Sequence, residues 1–191
     1  MGYFFMIFGW LFLQGGCSSS EERPPNILFI LTDDQGSWTL GAGDYPNTYT
    51  PEMDRLAEQG MYFKNMFAVS AVCSPSRAAL MTGRYPSETG ILTWIPVGSD
   101  EGVDTSLVMW PELLQEAGYH TFMVGKWHMG SASPAFMPTR RGYDHFSGFP
   151  HGGMKSMEPE VLVEGEWRTY KDRYTPDVLT ELAMDYIRQS R

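Results

Sequence analysis

The chain of 191 residues has only two cysteines, Cys17 and Cys73. One sits in a leader-like stretch and the other in a turn, so the two are not expected to pair and no disulfide framework holds the fold. Positive charge is also scarce: 14 Lys plus Arg stand against 23 Asp plus Glu, a net charge of −9. That balance excludes a general attraction to nucleic acid phosphates, and any anionic ligand has to be met by a local cluster of cations. The apolar run YFFMIFGWLFL, residues 3–13, is too short to span a bilayer comfortably. Internal repeats and low-complexity domains are lacking as well.

What is present is 42% hydrophobic and 14% aromatic residues, enough for one globular domain with a sizeable core rather than a disordered chain. The run at 3–13 is followed by QGGCSSSEERPP, small residues turning polar, which reads as an export signal over residues 1–17 with 18–25 as a tether. The ending Gly15-Gly16-Cys17 resembles a bacterial lipoprotein signal, in which a lipidated Cys17 attaches the mature chain to a membrane. No Lys or Arg precedes the run, and Gln14 stands where that signal usually has leucine, so an ordinary cleaved signal or a misassigned start codon stays open beside it. The expected destination is the periplasm or the outer membrane.

NILFILT, residues 26–32, is an uninterrupted β-branched and aliphatic run bounded by Pro25 and Asp33, as expected of a strand buried on both faces of a parallel sheet. Thr50-Pro51 opens a helix that Gly60 stops, and MYFKNMFA, residues 61–68, reads as a second strand. Ser74-Pro75 repeats the cap-then-proline signal for a short helix over 75–82, closed by Gly83. A further helix spans 111–117, the strand YHTFMV follows at 119–124, and Thr175-Pro176 opens an amphipathic helix with Val178, Leu179, Leu182, Ala183, Tyr186 and Ile187 at helical spacing. Alternating strands and helices predict an α/β layered fold with a mostly parallel central sheet sandwiched by helices. Ligands sit beyond the carboxyl ends of strands in such folds, which is where Asp33-Asp34 and Lys126-Trp127-His128 fall, with Cys73 at a helix start.

Adjacent carboxylates at a strand end are hard oxygen ligands suited to Ca²⁺ or Mg²⁺, or else a solvated turn pair. Cys73 before a helix start, with Arg77 in the first turn, is placed to become an anion, or else is a small buried thiol. His128 offers a proton acceptor beside Lys126, or else is merely packed and hydrogen-bonded.

These residues also carry a resemblance. AVCSPSRAALMTG is similar, position by position, to the sulfatase signature Cys-x-Pro-Ser-Arg followed by an apolar pair and Thr-Gly; GYHTFMVGKWHMG looks like the second sulfatase signature; NILFILTDDQG resembles the family's metal-binding strand. The resemblance implies the alkaline-phosphatase-like fold and a sulfuric ester hydrolase. It implies that a formylglycine-generating enzyme oxidises Cys73 to formylglycine, the nucleophile. Asp33 and Asp34, with the oxygen derived from Cys73, would bind Ca²⁺. Arg77 would hold the hydrated aldehyde, Lys126 would contact the sulfate, and His128 would be the base that collapses the intermediate. RRGYDHFSGFPHGG looks like the pocket region of bacterial members, with His151 as a substrate contact and His145 as a structural residue. Trp94 is open to stacking on a sugar ring or to ordinary packing. The expected substrate is a sulfated carbohydrate or small molecule, with no nucleic acid partner.

The resemblance covers residues 26–191 but only the family's N-terminal part. On that ground the chain by itself is expected to bind calcium poorly and to turn over nothing, with an exposed sheet edge. A phosphonate or phosphodiester hydrolase of the same superfamily, or a truncated gene product without function, stands as the alternative.

Overall fold

The structure, a computed structural model, describes residues 24–43, 45 and 47–190. The expected export signal with Cys17 lies outside these residues. The chain divides into two units, Met1–Gln35 and Gly36–Arg191.

In the first unit, residues 26–32 are not paired into a sheet, and Leu28 is 70% exposed. The doubly buried strand expected there is not formed. Side-chain shape favours a strand, but a strand exists only where a neighbour takes up its backbone hydrogen bonds, and no described strand pairs with this one.

The second unit begins with two short turns and helix α1 (Pro51–Gln59), which has Pro51 in its first turn and ends at Gly60, as expected. Residues 61–68 are irregular rather than the strand expected, and Met66 and Phe67 are exposed. The same missing neighbour accounts for it: an apolar run fixes preference, not pairing.

Helix α2 (Cys73–Thr82) gathers Ala78, Ala79, Leu80 and Met81, good helix formers, behind Pro75 in the first turn. Gly83 ends it in the left-handed region (φ 67°), its N–H closing on the Ala79 carbonyl at 2.8 Å. Helices α3 (Pro86–Thr89) and α4 (Trp110–Glu116) follow. Then come strand β1 (Phe122–Lys126), β2 (His145–Phe149), β3 (Glu160–Val163), β4 (Glu166–Thr169) and helix α5 (Thr175–Gln189).

The sheet runs in the order β1-β2-β3-β4. β1 and β2 are parallel, with Gly125 opposite Gly148 and Lys126 opposite Phe149, and the other two pairs are antiparallel. Side chains alternate between the faces at period two. Met123, Phe146 and Leu162 pack with Ala78 and Met81 of α2, Trp127 and Tyr143. On the opposite face Phe122 stacks on Tyr186 of α5, while Val161 and Val163 pack on Val178, Leu179 and Leu182. A mixed sheet flanked by helices results, the layered α/β class that the alternation of elements predicts, although among the described strands one pair of three is parallel and not most of them.

Candidate active site

β1 carries Lys126 to its carboxyl end, and the chain leaves the sheet through Trp127 and His128. The indole of Trp127 is fully buried, its N–H shared between the carbonyls of Gly130 (3.1 Å) and Phe136 (2.9 Å), with Tyr143 packed edge-on. This anchor fixes the departing chain. His128 then takes a left-handed φ of 59°, uncommon for a residue other than glycine, and its N–H donates to the Pro150 carbonyl at 3.1 Å.

Cys73 is the first residue of α2 rather than the residue before it, and Val72 is the cap. Ser74 does not cap the helix as expected. Its wholly buried hydroxyl instead accepts a hydrogen bond from the Ile95 N–H at 3.1 Å, a buried donor that would otherwise lack a partner.

Cys73 Sγ lies 3.1 Å from His128 Nδ1, and His128 Nε2 lies 3.0 Å from the Ile95 carbonyl oxygen. A carbonyl only accepts, so Nε2 carries the proton; in the neutral ring Nδ1 is then the lone-pair nitrogen, and it faces Cys73. Arg77, also buried, donates to the Lys126 carbonyl at 2.7 Å and ties α2 to the end of β1. The structure thus brings Cys73, Arg77, Lys126 and His128 together from two segments.

His151 is half-buried on the loop whose Pro150 carbonyl holds the His128 N–H. His145 starts β2, at the other end of that strand, where it pairs with Glu164 (3.1 Å) and stacks on Phe122, in keeping with the structural role expected. Trp94 is exposed. Sequence reasoning missed Ile95, whose contribution is a backbone carbonyl and leaves no side-chain signal, and the part played by Ser74, visible only as a residue of the motif.

Asp33 and Asp34 belong to the first unit and are exposed, with Asp34 at φ 53°. Their oxygens suit calcium in kind, but calcium takes about six to eight oxygen ligands. No group of three or more His, Cys, Asp or Glu side chains able to hold a metal gathers among the described residues, so the two aspartates by themselves would not complete such a shell. For a formylglycine the hydrate is the form that fits: the Cys73 sulfur occupies the place one of its hydroxyl oxygens would take, and a hydroxyl there would donate to the acceptor nitrogen.

Fold and site define a layered α/β protein with a cysteine-bearing helix start set against the carboxyl end of a strand. The sulfatase family model matches residues 25–191, and the chain belongs to the sulfatase family. It is 39% identical over 162 residues to human N-acetylgalactosamine-6-sulfatase, covering 78% of this chain and 31% of that one. With human arylsulfatase A it shares 40% over 143 residues, covering 74% and 28%. Among solved structures, Ps i-CgsB superposes with a TM-score of 0.84 at 31% identity, over 88% of this chain and 42% of that one. BT4656, solved with its substrate D-glucosamine-2-N,6-O-disulfate, gives 0.74 at 32% identity, over 87% and 31%. The chain therefore spans about a third of the length of the curated relatives it matches. Members of this family generally use formylglycine and Ca²⁺.

Proposed function

We propose that this chain is the nucleophile-bearing part of a sulfuric ester hydrolase that releases sulfate from a sulfated carbohydrate. The observation that carries the reading is Cys73 Sγ at 3.1 Å from the acceptor nitrogen of His128. Formylglycine made from Cys73 by a formylglycine-generating enzyme supplies, when hydrated, one hydroxyl that attacks sulfur and a second whose proton is given up as sulfate leaves. His128 receives that proton at Nδ1, because its other nitrogen is committed to the Ile95 carbonyl. Arg77 holds the hydrated group. Lys126 meets the sulfate and offsets the charge that grows as the S–O bond breaks, and His151 touches the substrate. Asp33 and Asp34 contribute oxygen ligands to Ca²⁺, an electrophile for the anionic group.

The names of the relatives support a sulfated sugar as substrate, since both N-acetylgalactosamine-6-sulfatase and BT4656 with its disulfated glucosamine act on one. The apolar leader supports export, to the periplasm or to the outer membrane through a lipidated Cys17.

Peptide mass spectrometry of the protein from its native host tests the reading, together with rates on an aryl sulfate and an aryl phosphodiester. The expected results are a Cys73 peptide about 18 Da lighter than the thiol form, as CH₂–SH becomes CHO, and faster cleavage of the sulfate. Unmodified Cys73 in active material, or a preference for the phosphodiester, would overturn it.

A further inference from the structure

Three contacts around His128 are unexplained by proton transfer alone. The Ile95 carbonyl that fixes the ring's Nε2–H belongs to a residue whose N–H, in the preceding peptide unit, is held by Ser74, the residue next to Cys73. The path Cys73–Ser74–Ile95–His128–Cys73 thus closes on itself, one covalent link and three short contacts of 3.1, 3.0 and 3.1 Å. Across the ring lies Gly152, where a Cβ would stand 2.6 Å from Cε1 and 2.8 Å from Nε2. Gly153, beside it, would place a Cβ within 4 Å of nothing.

We infer that Ser74, acting through the backbone of Ile95, and Gly152 are positioning residues that hold His128 as the Nε2–H tautomer with its Nδ1 lone pair aimed at residue 73. The serine sets the acceptor that chooses the tautomer. The glycine gives the ring the room to reach both that acceptor and residue 73. Any side chain at 152 moves the imidazole, and since the ring is 3% exposed and bonded at both nitrogens, it moves only by giving up one of the two contacts. The inference takes its catalytic meaning from the proposed function, but the tautomer itself does not depend on it.

The first experiment uses no variant. Long-range ¹⁵N–¹H spectra of the ¹⁵N-histidine-labelled protein with Cys73 unconverted should show His128 with a protonated Nε2 and a bare Nδ1 at neutral pH. The opposite tautomer, or an exchanging mixture, overturns the inference. The second compares Gly152→Ala, Gly153→Ala and Ser74→Ala with the parent, each rate divided by its formylglycine content because Ser74 lies in the maturation motif. Gly152→Ala should lose roughly 10²-fold in kcat, with the acid limb of its pH–rate profile flattened, as removal of a general base requires. Ser74→Ala should give mixed tautomers, Ser74→Thr should restore the single form, and Gly153→Ala should stay within about twofold of the parent. An unchanged pH profile in Gly152→Ala overturns the inference. A parent that cleaves no sulfate ester yet shows the single tautomer removes the proposed function and leaves the inference standing.

Discussion

Cys73 and His128 are 55 residues apart in sequence and 3.1 Å apart in space, and what closes that distance is not their own chemistry. Arg77, one turn along α2, reaches the last carbonyl of β1, while Trp127 locks the exit of the same strand. Function and fold therefore separate at residue 73. The thiol is only half-buried and its sulfur meets His128 rather than the packed core, so its removal should cost little stability. Cys73→Ala should abolish sulfate release while its unfolding free energy in urea stays within about 1 kcal/mol of the parent, the range for a small change away from the core. Retained turnover in that variant would reject the nucleophile. The motif residues Cys73, Arg77, Lys126 and His128 were legible in the sequence because each is a side chain of distinctive chemistry at fixed spacing. Ile95 and Gly152 were not, because one contributes a carbonyl and the other an empty space.

The elements divide in the same way. Helices α1, α2, α4 and α5 were readable from local signals: proline in the first turn, glycine at the stop, apolar residues at helical spacing. Residues 26–32 and 61–68 misled because strand formation is settled by partners far away in sequence. Where a pair does form, glycine decides how close it comes. A Cβ on Gly148 would stand 1.9 Å from the Gly125 carbonyl oxygen, across the parallel β1–β2 pair that presents Lys126. Gly148→Ala should destabilise the protein by about 1–3 kcal/mol, the usual cost of forcing atoms into a packed interior. It should also lower activity by displacing the strand end, and unfolding and rate measurements on one preparation check both.

On the other face, Tyr186 of α5 donates its hydroxyl to Glu164 and accepts from Ser147 (2.7 Å). Burial first, and the Glu164 hydrogen bond second, push its phenol up from 10.0 to about 12. The folded state therefore keeps a proton that the unfolded chain releases. The stability this gives is complete below about pH 10 and is lost as the pH rises toward about 12. Tyr186→Phe should lose about 1–3 kcal/mol near neutrality from the broken hydrogen bonds, and its stability should fall less between pH 10 and 12 than that of the parent. Parallel urea titrations across that range provide the check; equal slopes would show that α5 docks without the phenol.

At the scale of the whole molecule the net charge of −9 opposes the anionic substrate proposed above, so its binding would rest on local cations such as Lys126 and Arg77. The surface tells a second story. Met61, Phe63, Met66 and Phe67 crowd one short irregular segment and all are exposed, and grouped apolar side chains of this kind favour association. Expressed alone, residues 24–191 should bind a hydrophobic dye and self-associate at tens to hundreds of micromolar, as transiently uncovered apolar segments do. Met66→Ser combined with Phe67→Ser should weaken both effects without disturbing α2, since neither residue belongs to the buried core. Sedimentation velocity over a concentration series reads the association directly. A monomer at every concentration, silent to the dye, would mean that the segment folds back to cover itself in solution.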